Sequence, residues 1–301
     1  MKIHYNFDNI GEIKNPVVTT GTFDGVHVGH AVIIGRLNQL AREIDGESVL
    51  ITFHPHPRKI LFPDKSKDLK LINTQNEKAK MLAKTKLNHL FIIDFTLSFS
   101  KTSSQSFVND ILLDKLKAKI IVVGFNHHFG HNREGDYDYL YQLSKQRNFN
   151  VEEIPQQDIE NEAVSSTRIR KAILEGQIMK ANAYLDHQYF IKGKLSELNK
   201  TIKHGCICRI DIEENEKLIP LSGRYAAKLE QDKTIHYCFC EIQNKDEKTV
   251  VKIFILDTNV NLAENYANLY FYKRLRTYNG DNQDYSIGRI EDTELLNELI
   301  F

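Results

Sequence analysis

Two histidines, His27 and His30, lie three residues apart in the run Gly21-Thr22-Phe23-Asp24-Gly25-Val26-His27-Val28-Gly29-His30. On the first turn of a helix that spacing points both imidazoles to one side. Gly29 between them removes a side chain where a phosphate or a ligand backbone must come close. Imidazoles aimed at phosphates suit nucleotidyl transfer, in which an anionic nucleophile attacks the α-phosphorus of a nucleoside triphosphate. Such a nucleophile needs no general base. The site must instead stabilise charge growing on the phosphorus oxygens and on departing pyrophosphate. Further on, Ser165-Ser166-Thr167-Arg168-Ile169-Arg170 sets two guanidinium groups at a capped helix start, where bidentate donors suit a triphosphate.

The elements that must position these groups can be read from periodicity. Val17 to Thr20 is a β-branched run of the kind a buried parallel strand needs. Gly21, Asp24, Gly25 and Gly29 break it, and a helical period follows at Ile33, Ile34, Leu37, Leu40, Ala41 and Ile44. Strand, glycine-rich turn and helix place unpaired backbone N–H groups and a positive dipole end at the carboxyl edge of a sheet. The glycine spacing is neither a Walker A loop nor GxGxxG. Further strands are expected at Ser48 to Phe53, His89 to Phe95, Lys119 to Phe125 and Asn150 to Ile154, with an edge strand at Lys2 to Tyr5. Helices are expected from a capping box at Thr74 and Glu77 through about Lys84, and from Ser103 or Ser104 through Leu116. Others run from Tyr137 to Gln146, from the serines to Glu175 with a stop at Gly176, and from Gln177 to Leu185. Alternation of this kind predicts a parallel sheet covered on both faces, with ligands beyond the carboxyl ends of its strands. The polar motifs up to the fourth strand fall at such ends.

The run GTFDGVHVGH resembles the signature of the HxGH nucleotidyltransferases. Its GTFDGVH form is similar to prokaryotic bifunctional riboflavin kinase/FAD synthetases. Thr52-Phe53-His54-Pro55-His56-Pro57 resembles that family's TFxPHP loop, which closes over flavin and nucleotide. Gly124-Phe125-Asn126-His127-His128-Phe129-Gly130 resembles its GxNFxFG segment, followed by a glycine-rich flap through Gly135. Ser165 to Arg170 resembles its second ATP motif. The resemblance implies a Rossmann-like nucleotidyltransferase domain that transfers AMP from ATP to FMN. His27, His30, Asn126 and Arg170 would carry the chemistry. Gly21, Phe23, Asp24, Gly25, Gly29, Phe53, His56, Pro57, Gly124, Phe129, Ser166, Thr167 and Arg168 would hold ATP and flavin. Magnesium would accompany ATP. The family usually has arginine where His128 stands, which makes one phosphate contact weaker or pH-dependent. A metal site made of His127, His128 and His131 is the other reading, although adjacent histidines on a strand end point apart.

After His187 the pattern changes to short strand-like runs at Cys206 to Ile212, Gly223 to Leu229, Ile235 to Ile242, Thr249 to Leu256 and Tyr266 to Leu275. They predict a small antiparallel barrel, closed by an amphipathic helix at Ile290 to Ile300. The family carries its riboflavin kinase barrel here, so the expected domains are residues 1–186 and 187–301. The kinase signature is eroded. Gly205-Cys206-Ile207-Cys208-Arg209-Ile210 aligns with GFPTAN and keeps neither magnesium-binding residue. Lys252 stands where the family has its catalytic glutamate, and a lysine cannot serve as a carboxylate base. Cys206, Cys208, Cys238 and Cys240 would meet around zinc only if their strands adjoin, and the one-residue spacing argues against it.

Forty basic and forty acidic residues leave no net charge, which speaks against a broad nucleic-acid surface. No apolar run is long enough to cross a bilayer, and no leader is recognisable, so a cytoplasmic protein without membrane or nucleic-acid partners is expected. The oligomeric state is left open. The reading that results is an FMN adenylyltransferase with an inactive kinase-like barrel. The alternatives are a fully bifunctional enzyme and a flavin- or nucleotide-binding regulator without turnover.

Overall fold

The structure is a computed structural model that describes residues 1–8, 10–159, 162–202, 205–245, 248–255, 260 and 262–277. The expected helix at Ile290 to Ile300 lies outside them. The chain folds as two units, Met1–Ser165 and Ser166–Phe301.

In the first unit, β1 (Lys2–His4), β2 (Val17–Thr20), α1 (Val28–Glu43), β3 (Ser48–His54), α2 (Pro57–Leu61), α3 (Pro63–Ser66) and α4 (Gln75–Ala83) come first. β4 (His89–Asp94), α5 (Ser104–Ser106), β5 (Ile120–Gly124), α6 (Tyr137–Ser144), β6 (Asn150–Ile154), β7 (Asp158–Ile159) and β8 (Glu162–Ala163) follow. Six strands form a parallel sheet in the order β1-β4-β3-β2-β5-β6. Neighbouring residues of β2 serve opposite faces: Val17 packs with Ile34, Leu37, Leu50 and Leu90, whereas Val18 packs with Val49, Phe91, Val108 and Ile121. Both faces are covered, so the central strands read as unbroken apolar runs. The order reverses direction between β2 and β5, and that switch point is where such a sheet opens a crevice.

The Thr74–Glu77 capping box forms in full, with Thr74 N–H donating to Glu77 and Glu77 N–H donating to Thr74 Oγ1. Ser103 caps α5, accepting from Ser106 N–H at 3.0 Å. Beyond α5 the chain does not continue as an ordinary helix: Phe107–Lys115 is π-helical, and Leu116 N–H reaches back five residues to Ile111 O. The looser winding keeps Phe107, Val108 and Leu112 buried against the sheet.

The second unit opens with α7 (Ser166–Leu174) and α8 (Ile178–Leu185) and continues as β9 (Phe190–Ile202), β10 (Gly205–Asp211), β11 (Gly223–Gln231), β12 (Thr234–Lys245), β13 (Lys248–Ile255) and β14 (Tyr266–Thr277). The strands close an antiparallel barrel in the order β10-β13-β12-β11-β14-β9. Gly176 ends α7 at φ +74°, as the sequence predicts. The two units divide at Ser165, whereas the sequence changes character at His187. The two helices associate with the barrel: Asn182 Nδ2 donates to Phe271 O of β14 at 2.8 Å, and a Cβ on Gly176 would meet the Arg274 side chain at 2.6 Å. The sequence reading also missed β9. Its inward positions Ile191 and Leu195 are separated by Gly193, where a Cβ would strike Asp211 O at 2.4 Å, so the close approach of β10 erases the apolar alternation.

Candidate active site

The turn after β2 is stitched together from inside. Phe23, at φ +48° and 2% exposed, lies under the His30 ring at 4.6 Å between centroids. A Cβ on Gly21 would press on the Phe23 ring at 3.1 Å, so a side chain there would crowd the ring. Gly25 takes φ +94°, a left-handed conformation glycine adopts without strain. The buried Asp24 carboxylate accepts from Ile72 N–H and Asn73 N–H, each at 3.1 Å, tying the turn to the segment before α4.

His27 is the N-cap residue of α1, and His30 lies in its first turn. Their rings stack at 3.7 Å with 19° between planes. A Cβ on Gly29 would contact the His27 ring at 3.3 Å, a tight approach that glycine avoids. Burial, then the neighbouring His27 and Lys78, hold the His30 imidazole well below its ordinary value and therefore uncharged at neutral pH. His30 Nδ1 is buried without a hydrogen-bond partner among the described residues.

Gly124 ends β5 beside this turn, since a Cβ there would meet Ile33 of α1 at 3.0 Å. Asn126, exposed and at φ +56°, follows two residues on. His127 stacks on Phe129 at 5.9 Å, and burial, with His128 and Arg133 nearby, pushes it down to about 4. His131 turns elsewhere, its Nδ1 3.2 Å from Ser100 O. No group of three metal-ligating side chains forms among the described residues. The following flap is pinned: Phe129 bridges to Gly135, and Glu134 accepts from Ser104 N–H at 2.7 Å.

At the end of β3, Phe53 packs edge-on against Phe95 at 5.5 Å and tilts against Phe99. His56 caps α2, its Nδ1 accepting from Arg58 N–H at 3.2 Å, and Pro57 opens that helix. Ser166, Thr167, Arg168 and Arg170 lie on the first turns of α7, where Ile169 and Ile173 are buried and Thr167 and Arg168 are exposed.

Lys78 escaped the sequence reading. It follows the capping box on a polar helix and looks like a solvated residue, yet it is 6% exposed. Its Nζ donates to Thr22 O at 3.0 Å and to Thr52 Oγ1 at 3.1 Å.

In the barrel, β13 lies between β10 and β12. Cys206 and Cys238 both pair with Ile255, and Cys208 and Cys240 both pair with Ile253. The cysteine strands therefore do not adjoin, which removes the condition for a shared zinc. Burial pushes Cys208 up to about 12 and holds Cys238 and Cys240 well above the ordinary thiol value. Cys208 and Ile210, aligned with the family's magnesium-binding positions, are buried. Lys252 falls in a cross-strand row with Arg209, Glu241 and Arg224, and Arg224 Nε donates to Glu241 at 3.0 Å.

A doubly wound sheet with paired imidazoles on a helix N-terminus at its switch point is the arrangement of an HxGH nucleotidyl-transfer domain. A family model described as FAD synthetase matches residues 10–168. The bifunctional riboflavin kinase/FMN adenylyltransferase of Buchnera aphidicola subsp. Schizaphis graminum is 32% identical over 288 residues, 92% of this chain and 91% of its own. The protein of that description from Listeria monocytogenes serovar 1/2a is 30% identical over 268 residues, 87% of this chain and 84% of its own. A crystal structure described as a macrolide-efflux protein from Streptococcus pneumoniae matches with a TM-score of 0.85 at 24% identity, covering 99% of this chain and 97% of that one. That last likeness is one of fold. The chain belongs to the FAD synthetase family. No helix among the described residues is long and apolar enough to cross a membrane.

Proposed function

We propose that the protein makes FAD by transferring AMP from ATP to FMN. A phosphate oxygen of FMN bonds to the α-phosphorus of ATP as the bond from that phosphorus to the bridging oxygen breaks. The electron pair leaves with pyrophosphate. FMN phosphate is already ionised, so no base is required. The observation that carries the reading is the stacked pair His27 and His30 at the α1 N-terminus, beside the end of β5. There the imidazole N–H groups and first-turn amides can donate to phosphoryl oxygens as charge grows on them.

Gly21, Phe23, Asp24, Gly25 and Gly29 shape this turn, and the buried Phe23 and Asp24 side chains do so from inside rather than by reaching ligand. Gly124, Asn126 and Phe129 would flank the phosphates. Phe53, His56 and Pro57 are assigned to the flavin side. Ser166, Thr167, Arg168 and Arg170 are assigned to the triphosphate on the strength of their motif. Magnesium would arrive on ATP. The Asp24 carboxylate is bonded to two amides, so Asn126 offers a hard oxygen donor to an ion otherwise held by phosphate oxygens and water. The ion would neutralise charge on the triphosphate. A cytoplasmic setting fits a chain whose substrates are ATP and FMN.

The barrel is assigned no kinase activity, because the positions that should bind magnesium and take the riboflavin proton are Cys208, Ile210 and Lys252. A second reading, the fully bifunctional enzyme, is favoured by relatives whose description names both activities and whose match reaches across the barrel. Incubation with ATP, magnesium and either riboflavin or FMN, followed by separation of the flavins, tests both. FAD from FMN, with no FMN from riboflavin, is the expected result. Turnover of ATP only with some other acceptor would overturn the flavin assignment.

A further inference from the structure

Lys78 is a buried ammonium that the transfer chemistry described above does not use. It leaves α4 beside Glu77, whose carboxylate is engaged in the capping box. Its Nζ donates to Thr22 O and Thr52 Oγ1, and Thr52 Oγ1 itself donates to Thr22 O at 3.0 Å. The glycine-rich turn, the end of β3 and α4 thus meet in one knot. Both partners of Nζ are neutral oxygens. Asp24 is the acidic group facing the ammonium, and its two oxygens already accept from Ile72 and Asn73.

Taking an ammonium out of water without a contacting carboxylate is costly, and a methionine would fill the same space without that cost. The knot alone does not explain the charge. Its field falls on His30, which is faced by Lys78 from α4, by His27 from its own helix end and by the uncharged ring of Phe23. Two imidazoles stacked at 3.7 Å cannot both be cations beside a third positive charge. We propose that Lys78 is a positioning residue of the adenylyl-transfer site, clamping the turn to β3 through Thr22 O and Thr52 Oγ1 and adding its positive charge to the burial and the His27 ring that already oppose protonation of His30. The inference rests on the reading of this site as an adenylyl-transfer centre.

Under this arrangement the positive field at the phosphorus is built into the fold. The imidazole donates its N–H without having to gain a proton first. Burial brings Lys78 down to about 8, so the ammonium is present at neutral pH and is lost as pH rises through that value.

The test uses the full-length protein. In the wild type, kcat for FAD formation should fall as pH rises through about 8; a flat profile from about pH 7 to 9.5 would overturn the proposal. Lys78→Met removes both charge and bonds, and Lys78→Gln keeps a donor for Thr22 O while removing the charge. Both should lower kcat about tenfold or more, with the KM for FMN changed less than about threefold. The His30 ring signal, assigned by its loss in His30→Gln, should titrate at clearly higher pH in each folded variant than in the wild type. An unchanged His30 titration would sink the idea, whereas a purely structural Lys78 would leave that titration in place. Absence of FAD formation by the wild type would instead refute the adenylyl-transfer reading, and the titration would still decide whether Lys78 governs His30.

Discussion

The two units treat their polar positions in opposite ways. In the first, the turn between β2 and α1 concentrates His27, His30, Asp24 and Lys78 within a web of hydrogen bonds and stacked rings. In the barrel, the positions that align with kinase chemistry are apolar lining or members of a charged cross-strand row, with Cys208 and Ile210 buried and Lys252 in register with the buried Glu241. Closing a barrel requires only that inward positions fill its interior, and Cys, Ile, Val and Tyr do that as well as functional residues. A transfer site instead requires particular groups at particular places. On the proposed reading, the fold outlasts its chemistry in one unit while the other keeps both.

The sharpest way to break this contrast is a riboflavin kinase assay. No FMN should form from riboflavin and ATP, and Lys252→Glu should not rescue it, because a general base contributes only about 10²–10⁴-fold and the metal-binding positions are missing too. FMN appearing at a rate comparable with FAD synthesis would erase the contrast. Next in size, His30→Ala and Arg170→Ala should each lower kcat by roughly 100-fold or more while FMN affinity changes little. A raised KM with unchanged kcat would make them ground-state binders.

A smaller effect is expected from Asp24→Asn. It removes a buried charge from two amide bonds and turns an amide NH₂ toward one donor, and should cost about 3 kcal/mol in chemical denaturation. An unaltered midpoint would show that the tie to Ile72 and Asn73 does not hold the turn. The pH dependence of stability is subtler. His30 and His127 both titrate below the ordinary histidine value when folded, so the unfolded chain binds protons first as pH drops below about 6.5. Stability from these groups is complete above that pH and declines toward about 4, where folded His127 is also protonated. Tm should fall by several degrees between about pH 7.5 and 5, and a Tm that rises instead would contradict the burial of both rings. The smallest signal is thiol reactivity. Cys208, Cys238 and Cys240 should resist a thiol reagent until the chain unfolds, since burial keeps them protonated.

Sequence alone determined the parallel unit and the elements on which its candidate site residues lie. Val17 to Thr20, His27 and His30, the Thr74–Glu77 box and the strand ends at Phe53 and Gly124 depend on local patterns, and periods of two and 3.6 residues are written in adjacent residues. Local reading also located five of the barrel strands. It could not find β9, whose alternation is interrupted at Gly193 by an approach of β10 that exists only once the barrel closes. Nor could it decide whether the cysteine pairs meet, because strand order rather than spacing inserts β13 between them. Lys78 shows the limit most plainly. Its neighbours in sequence make it look solvated, and only the packing of α4 against the turn and the end of β3, 56 and 26 residues away, buries its charge beside His30. Burial and electrostatic neighbourhood are set by long-range contacts, and a chain read residue by residue does not contain them.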